Sequence, residues 1–251
     1  MPIEDDLIQR TLAELSAALV QLERRSEPAA VEAARDLLDR AYRRHLGVAG
    51  EVVRRLPSEQ LLAIISSTGR VDAERAFLTA ALLEFDASIP VGGVAGTSAT
   101  TGSNLRLGDV PSGDVPSGDV PSGELRSDEV ASLLRLRALD LYTEAGSAGV
   151  GVSDLHDRVR RVRAALLEHL LPEVSFDRLL GYFVHDGRFA AAEDLLFEWL
   201  EEHGTTATLR AAGERLYDGL EKQTDERLLA GELPRDELAE GRAMFRRSCD
   251  G

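Results

Sequence analysis

The sequence predicts an all-α protein built from antiparallel helix hairpins. Apolar residues recur at three- and four-residue spacing over most of the chain, as they do on helix faces that pack against other helices. Hydrophobic residues make up 43% of the 251 residues, which is enough to bury a core. Aromatic residues make up only 5%, so we expect a core of mostly leucine, alanine and valine, which suits packed helices.

The N-terminal part, residues 1–87, is predicted to contain two helices followed by a helix hairpin. Leucines at regular spacing within residues 7–22 predict a first amphipathic helix. Pro28 opens a second helix that Gly47 ends, and the hairpin lies between Pro57 and Glu84. The first helix can pack in the core of its own chain or pair with a second copy, so a homo-oligomer formed through residues 7–22 stays open.

Residues 88–126 differ from the rest of the chain in composition. They are rich in glycine, serine, proline and valine, and contain the segment GDVPS three times in tandem from Gly108 to Ser122. Proline and glycine recur too often for a helix, and bulky side chains are too few for a core. We predict a long disordered loop between two helical parts, 1–87 and 127–251, that pack as one domain. The repeats either arose without a selected function or form a tether or a docking motif displayed three times.

The C-terminal part, residues 127–251, is predicted to contain a longer series of helices. Ser127 and Asp128 form a start signal, Ser153 is a candidate cap for the next helix, and Pro172 ends that helix. A helix hairpin follows from Phe176 to Trp199. Two more polar helices complete the chain, and we expect them to cap the assembly.

The hairpin from Phe176 to Trp199 carries the most informative spacing in the chain. Gly187 can adopt the left-handed conformation that closes its first helix. The spacing resembles the tetratricopeptide repeat at seven positions: Phe176, Leu179, Phe183, Gly187, Phe189, Ala192 and Leu196. Departures from that repeat occur at Leu180, Trp199 and Gly204. A weaker version of the pattern surrounds Gly69, and no fixed period of about 34 residues continues through the chain, so we predict an irregular solenoid or bundle.

The chain as a whole also resembles an uncharacterised bacterial family of helical proteins known only as a domain of unknown function. The segments that carry this resemblance are LERRSEPAAVEAARDLLDRAY, RALDLY and AAEDLLFEWLEE. The resemblance implies an all-helical fold. It implies no activity and no catalytic residues.

The charge of the chain restricts its partners. A formal net charge of −15 disfavours nucleic acid and anionic membrane surfaces, which would repel it. The main basic cluster, Arg158, Arg160, Arg161 and Arg163, is predicted to be solvated or ion-paired, with Asp154, Asp157 and Glu168 as nearby partners. No membrane-spanning run or signal peptide is evident, so we expect a cytoplasmic protein. The sole cysteine, Cys249, is expected to be a free thiol on a mobile tail without a structural role.

The chain contains none of the sequence motifs that identify common enzymes and cofactor sites. Two His-Asp doublets, at His156 and His185, resemble the metal-binding doublet of helical phosphohydrolases, and His169 or His203 would have to complete such a site. Adjacent residues on a helix point about 100° apart, which argues against this interpretation. We therefore predict no catalytic residues, no metal and no cofactor.

A protein-interaction or scaffold module without enzymatic activity is the function that the sequence favours. Phe183, Phe189 and Trp199 are candidates for lining a peptide groove, although large aromatics at helical spacing more often fill a core. The alternatives are a metal-dependent phosphohydrolase that uses the His-Asp doublets and a self-assembling structural protein.

Overall fold

The computed structural model describes residues 10–11, 13–18, 20, 28–66, 69–90 and 127–250. After a helical segment within residues 10–20, the described chain forms eleven helices: α1 (Pro28–Leu46), α2 (Gly50–Arg55), α3 (Ser58–Ile65), α4 (Ala73–Asp86), α5 (Ser127–Ser147), α6 (Leu155–Ala164), α7 (Glu173–His185), α8 (Phe189–His203), α9 (Ala207–Leu220), α10 (Asp225–Ala230) and α11 (Arg235–Asp250). These described ranges contain no strand, so the all-α prediction is confirmed.

Local signals explain where many of the helices begin and end. The side chains of Asp72, Thr206 and Thr224 each accept a hydrogen bond from a backbone N–H in the first turn of α4, α9 and α10. Gly187 has a φ of 76° between α7 and α8, as the sequence predicts for the turn of that hairpin. Ser153 is not a cap, because Asp154 occupies the position before α6 and makes no side-chain capping bond.

Helices α4 and α5 form the centre of the molecule. Every residue of α4 from Ala76 to Leu83 is buried, which is typical of a helix surrounded by other helices. α5 packs along α4 and also contacts α6 and α7, while α1 packs on α4 and α8 packs on α7. The buried hydrophobic cluster extends from Leu15 to Cys249, so it includes residues on both sides of the segment 88–126.

The helical segment within residues 10–20 packs against its own chain. Leu15 is buried in the core, and the Thr11 hydroxyl lies 3.3 Å from Nε2 of His45 on α1. The side chains of Leu12 and Leu19, together with Leu7 and Leu22, lie outside the described residues. Leu15, the one leucine of the predicted stripe whose side chain is described, therefore contributes to the core of its own chain.

The predicted loop 88–126 overlaps the described chain only at residues 88–90. Ile89 is 5% exposed and belongs to the core, and Arg35 donates a 2.8 Å hydrogen bond to the carbonyl oxygen of Pro90. The packed part of the chain therefore extends beyond Ser88, because the side chain of Ile89 is buried in the core. The GDVPS repeats and the rest of the predicted disordered loop lie outside the described residues.

Cys249 is part of the core, and the prediction of a thiol on a mobile tail is wrong. Its side chain is 6% exposed, because α11 continues to Asp250 and buries a face that includes Leu238 and Phe245. Arg210 of α9 donates a hydrogen bond to the Cys249 carbonyl oxygen and so holds the end of α11. Burial raises the pKa of the Cys249 thiol, which makes it a poorer nucleophile.

No helix in the described ranges is both long enough and apolar enough to cross a membrane.

A buried carboxylate connects three helices of the core. Asp140 on α5 accepts hydrogen bonds from the hydroxyls of Ser58 on α3, at 2.6 Å, and of Ser175 on α7, at 2.7 Å. Arg178 of α7 lies 3.1 Å from the same carboxylate and 3.2 Å from Glu144 one turn further along α5. Burial raises the pKa of Asp140, whereas the two hydroxyls and the guanidinium oppose that rise.

We expect Asp140→Ala to lower the free energy of unfolding by about 3 kcal/mol, because it leaves the buried Ser175 hydroxyl and the half-buried Ser58 hydroxyl without their acceptor and leaves Arg178 with Glu144 alone. Asp128→Ala, which removes an exposed carboxylate from the first turn of the same helix, should cost less than about 1 kcal/mol. Urea unfolding followed by circular dichroism measures both changes. Equal unfolding midpoints for the two variants would contradict the structural role of Asp140.

Candidate functional site

The three aromatic residues predicted as candidates for a groove lie inside the protein. Phe183, Phe189 and Trp199 are 6%, 1% and 0% exposed. The Trp199 ring stacks on Phe176 with a centroid distance of 5.7 Å, which fixes α8 against α7. Their burial fits the core-packing alternative, and none of the three presents a ring to a partner.

The two His-Asp doublets lie near one end of α7 but do not form a metal site. His156 is half-buried, and its ring centroid lies 6.4 Å from that of Phe183, whereas His185 is exposed. Burial lowers the pKa of His156, so its neutral form is favoured. Its Nδ1 atom is buried without a hydrogen-bond partner.

The other two candidate metal ligands are engaged elsewhere. Nε2 of His169 lies 2.8 Å from the Ser132 hydroxyl, and Nε2 of His203 lies 2.7 Å from the carbonyl oxygen of Leu171. Within the part of the chain that the structure describes, no group of three or more His, Cys, Asp or Glu side chains is placed to hold a metal ion. The doublets therefore gain no structural support as a hydrolytic centre.

An open groove separates α7 from α9. Its volume is about 290 Å³, and its apolar lining is formed by Leu180, Gly181, Val184, Ala212, Leu216 and Gly219. An ion pair between Asp177 of α7 and Arg215 of α9, with an N–O distance of 2.6 Å, lies at its rim. The groove therefore has an apolar floor and a rim whose charges are already paired.

Two glycines in this groove, Gly181 in the interior of α7 and Gly219 in the last turn of α9, have no packing reason among the described residues. A Cβ atom added at Gly181 of α7 or at Gly219 of α9 would meet no other atom within 4 Å. Glycine costs about 0.5–1 kcal/mol relative to alanine in a helix interior. In a natural sequence, residues that break a local rule without compensation often mark a functional surface.

Another helical glycine of α9 does have a structural reason. A Cβ atom at Gly213 would overlap the Phe245 ring of α11, so glycine is required for the close approach of these helices. Gly213 and Gly219 thus share a helix but differ in what lies above them. The sequence did not predict the groove, because glycine was interpreted mainly as a turn signal. A glycine inside a periodic helix also indicates a close approach or a functional surface.

We expect Gly181→Ala to raise the free energy of unfolding by about 0.5–1 kcal/mol, because it improves helix propensity in the interior of α7 and meets open space. Gly213→Ala should lower it by about 1–3 kcal/mol, because its methyl group overlaps the Phe245 ring. Thermal and urea unfolding measure both. Two changes of the same sign would mean that the surroundings of these glycines differ from those described.

The arginine cluster of α6 is ion-paired, as the sequence predicts. Arg158 pairs with Asp154, the residue before α6, at 2.7 Å, and Arg160 pairs with Asp157 of α6 at 3.1 Å. Arg163 instead pairs with Glu198 of α8, while Arg161 pairs with Glu84 of α4 at 2.8 Å. Glu198 and Glu84 are distant from α6 in sequence, so the spacing of charges within α6 does not predict these two ion pairs.

Comparison with known proteins places the chain among sequences without an assigned activity. A family model described as "Family of unknown function (DUF6483)" matches residues 3–247. No curated protein and no solved structure matches the chain.

Proposed function

The chain belongs to the DUF6483 family, whose function is unknown, and we propose that it is a protein-interaction module that accepts a helix of a partner protein in the groove between α7 and α9. The observation that carries this proposal is a pair of glycines with open space above both, Gly181 in the interior of α7 and Gly219 in the last turn of α9. A partner helix that approaches this closely would recover the stability that the glycines cost.

The shape of the groove suits a helix. A third helix packs between two neighbouring helices when its ridges enter the groove that they form, and small residues at the contact allow a shorter distance between axes. Leu180, Val184 and Leu216 supply apolar area on both sides of the glycines. Amphipathic helices bind such grooves through apolar anchors at positions i, i+3, i+4 and i+7.

Charge indicates which partners would associate most readily. The Asp177–Arg215 ion pair neutralises the rim, so the local groove selects neither sign. The chain as a whole carries a formal charge of −15, which attracts a basic partner and repels an acidic one at a distance. We therefore propose a partner helix with a small or apolar face and flanking lysine or arginine residues.

The resemblance of α7 and α8 to a tetratricopeptide hairpin supports the same proposal. Helical repeat proteins bind partners on the extended surface that successive hairpins form. α7 is the first helix of the hairpin, and α9 is the helix that follows it along the chain. The proposed groove is therefore formed by helices that occupy equivalent places in successive units.

The experiment is selection from a displayed library of amphipathic helical peptides against the purified protein, followed by affinity measurement on the selected peptides. We expect the bound peptides to share a small or apolar stripe and basic flanks. Gly181→Leu should weaken their binding by at least about tenfold, since its side chain fills the groove. Thermal unfolding of the variant separates this effect from loss of the fold.

Ala211→Leu is the matched control, because it adds a leucine to an exposed position of α9 that does not line the groove. It should change peptide affinity less than twofold. Failure to select any peptide, or equal binding to the wild type and to a folded Gly181→Leu variant, would exclude this groove as the binding surface.

A further inference from the structure

A second cavity, which shares no lining residue with the groove between α7 and α9, lies among α4, α5, α6 and the N-terminal helical segment. Its volume is about 550 Å³, within the range of small-molecule sites. Three arginines, Arg135, Arg158 and Arg161, line it, whereas Glu84 is the only acidic residue in its lining. This excess of positive charge is unusual for a chain with 44 acidic and 29 basic residues.

Glu84 has no free oxygen for Arg135, because both of its oxygens already have partners, and Arg158 has a second partner in Asp154, at 2.7 Å, which does not line the cavity. One oxygen accepts a 2.8 Å hydrogen bond from Nε of Arg161. The other accepts a hydrogen bond from the Tyr142 hydroxyl at 2.7 Å and lies 3.5 Å from Nη1 of Arg158. Both of its oxygens are therefore occupied before Arg135 is considered.

Arg135 has neither a hydrogen-bond partner nor an ion-pair partner among the described residues, although it is half-buried on α5. It also lines a neighbouring cavity of about 610 Å³. In that neighbour, three arginines face three carboxylates, and one of the pairs, Arg54–Asp86, is closed at 2.6 Å. Arg135 is thus the one arginine in the lining of the cavity beside Arg158 and Arg161 that has no carboxylate partner among the described residues.

A guanidinium group presents a planar set of N–H donors that matches the two oxygens of a carboxylate or the oxygens of a phosphate. The same cavity has an apolar wall that includes Leu15, Phe85 and Val162. A ligand that satisfies both features carries an oxyanion at one end and an apolar group at the other. A partly desolvated arginine without a partner is the strongest available contact for such an oxyanion.

We propose that this cavity binds a small organic oxyanion, a phosphate or carboxylate carried on an apolar group, with Arg135 as its principal contact. Arg158 and Arg161 add positive potential while they keep their bonds to Glu84. This site goes beyond the proposed binding of a partner helix, and either proposal can fail without the other.

Isothermal titration calorimetry of the full chain with phenyl phosphate and with benzoate tests the proposal, with uncharged benzyl alcohol as the comparison. We expect saturable binding of at least one of the two anions and at least tenfold weaker binding of benzyl alcohol. Tighter binding of phenyl phosphate would identify a phosphate ligand, and tighter binding of benzoate a carboxylate ligand; either result supports the site.

Arg135→Gln should weaken binding of the preferred anion at least tenfold. The unfolding midpoint should be unchanged, because no described residue loses a partner. Arg160→Gln is the matched control: it removes the same charge from an exposed residue of α6 that lines neither cavity, and should change the affinity less than twofold. The proposal is overturned if neither anion binds at millimolar concentration, or if the two variants weaken binding equally.

Discussion

The arrangement of the molecule depends on one buried carboxylate, that of Asp140. It joins α5 to Ser58 of α3 and to Ser175 and Arg178 of α7, which are 82, 35 and 38 residues away in the chain. A buried charge is tolerated only when its partners are in place, so this contact fixes the rotation and the register of α5. Hydrophobic packing alone would tolerate several helix registers at similar cost, since leucine and alanine faces can slide past one another.

That rotation of α5 determines what the helix presents on its other sides. Arg135 precedes Asp140 by five residues, which places the two about 140° apart around a helix of 3.6 residues per turn. Asp140 can thus face α3 and α7 while Arg135 lines the cavity beside α6. The same carboxylate holds α7, and α7 forms one wall of the groove that contains Gly181. Both proposed binding surfaces are consequences of one polar contact in the core.

The fold was predictable where its causes are local. The start of α7 after Pro172 and the turn at Gly187 follow from proline geometry and positive φ, which act over a few residues. The burial of Ile89 and Cys249 was not predictable, because each depends on a surface supplied by distant helices. The aromatic residues could not show from sequence whether they line a groove or fill the core. The spacing that places Phe183 and Trp199 on one helix face is the same in both cases, and the structure buries both.

The two features that suggest binding are open space above a glycine and an arginine without a partner. Neither can be seen in the sequence alone. The role of Gly181 becomes visible only when the space above it is known, and that of Arg135 only when the contacts of Glu84, the acidic residue in the lining of its cavity, are known. The position of the arginine cavity adds a further consequence. Leu15 of the N-terminal helical segment forms part of its wall, opposite α5 and α6. An oxyanion bound there would contact that segment as well as the core, and because it would bind only the docked arrangement, it would stabilise the docking of the segment by mass action.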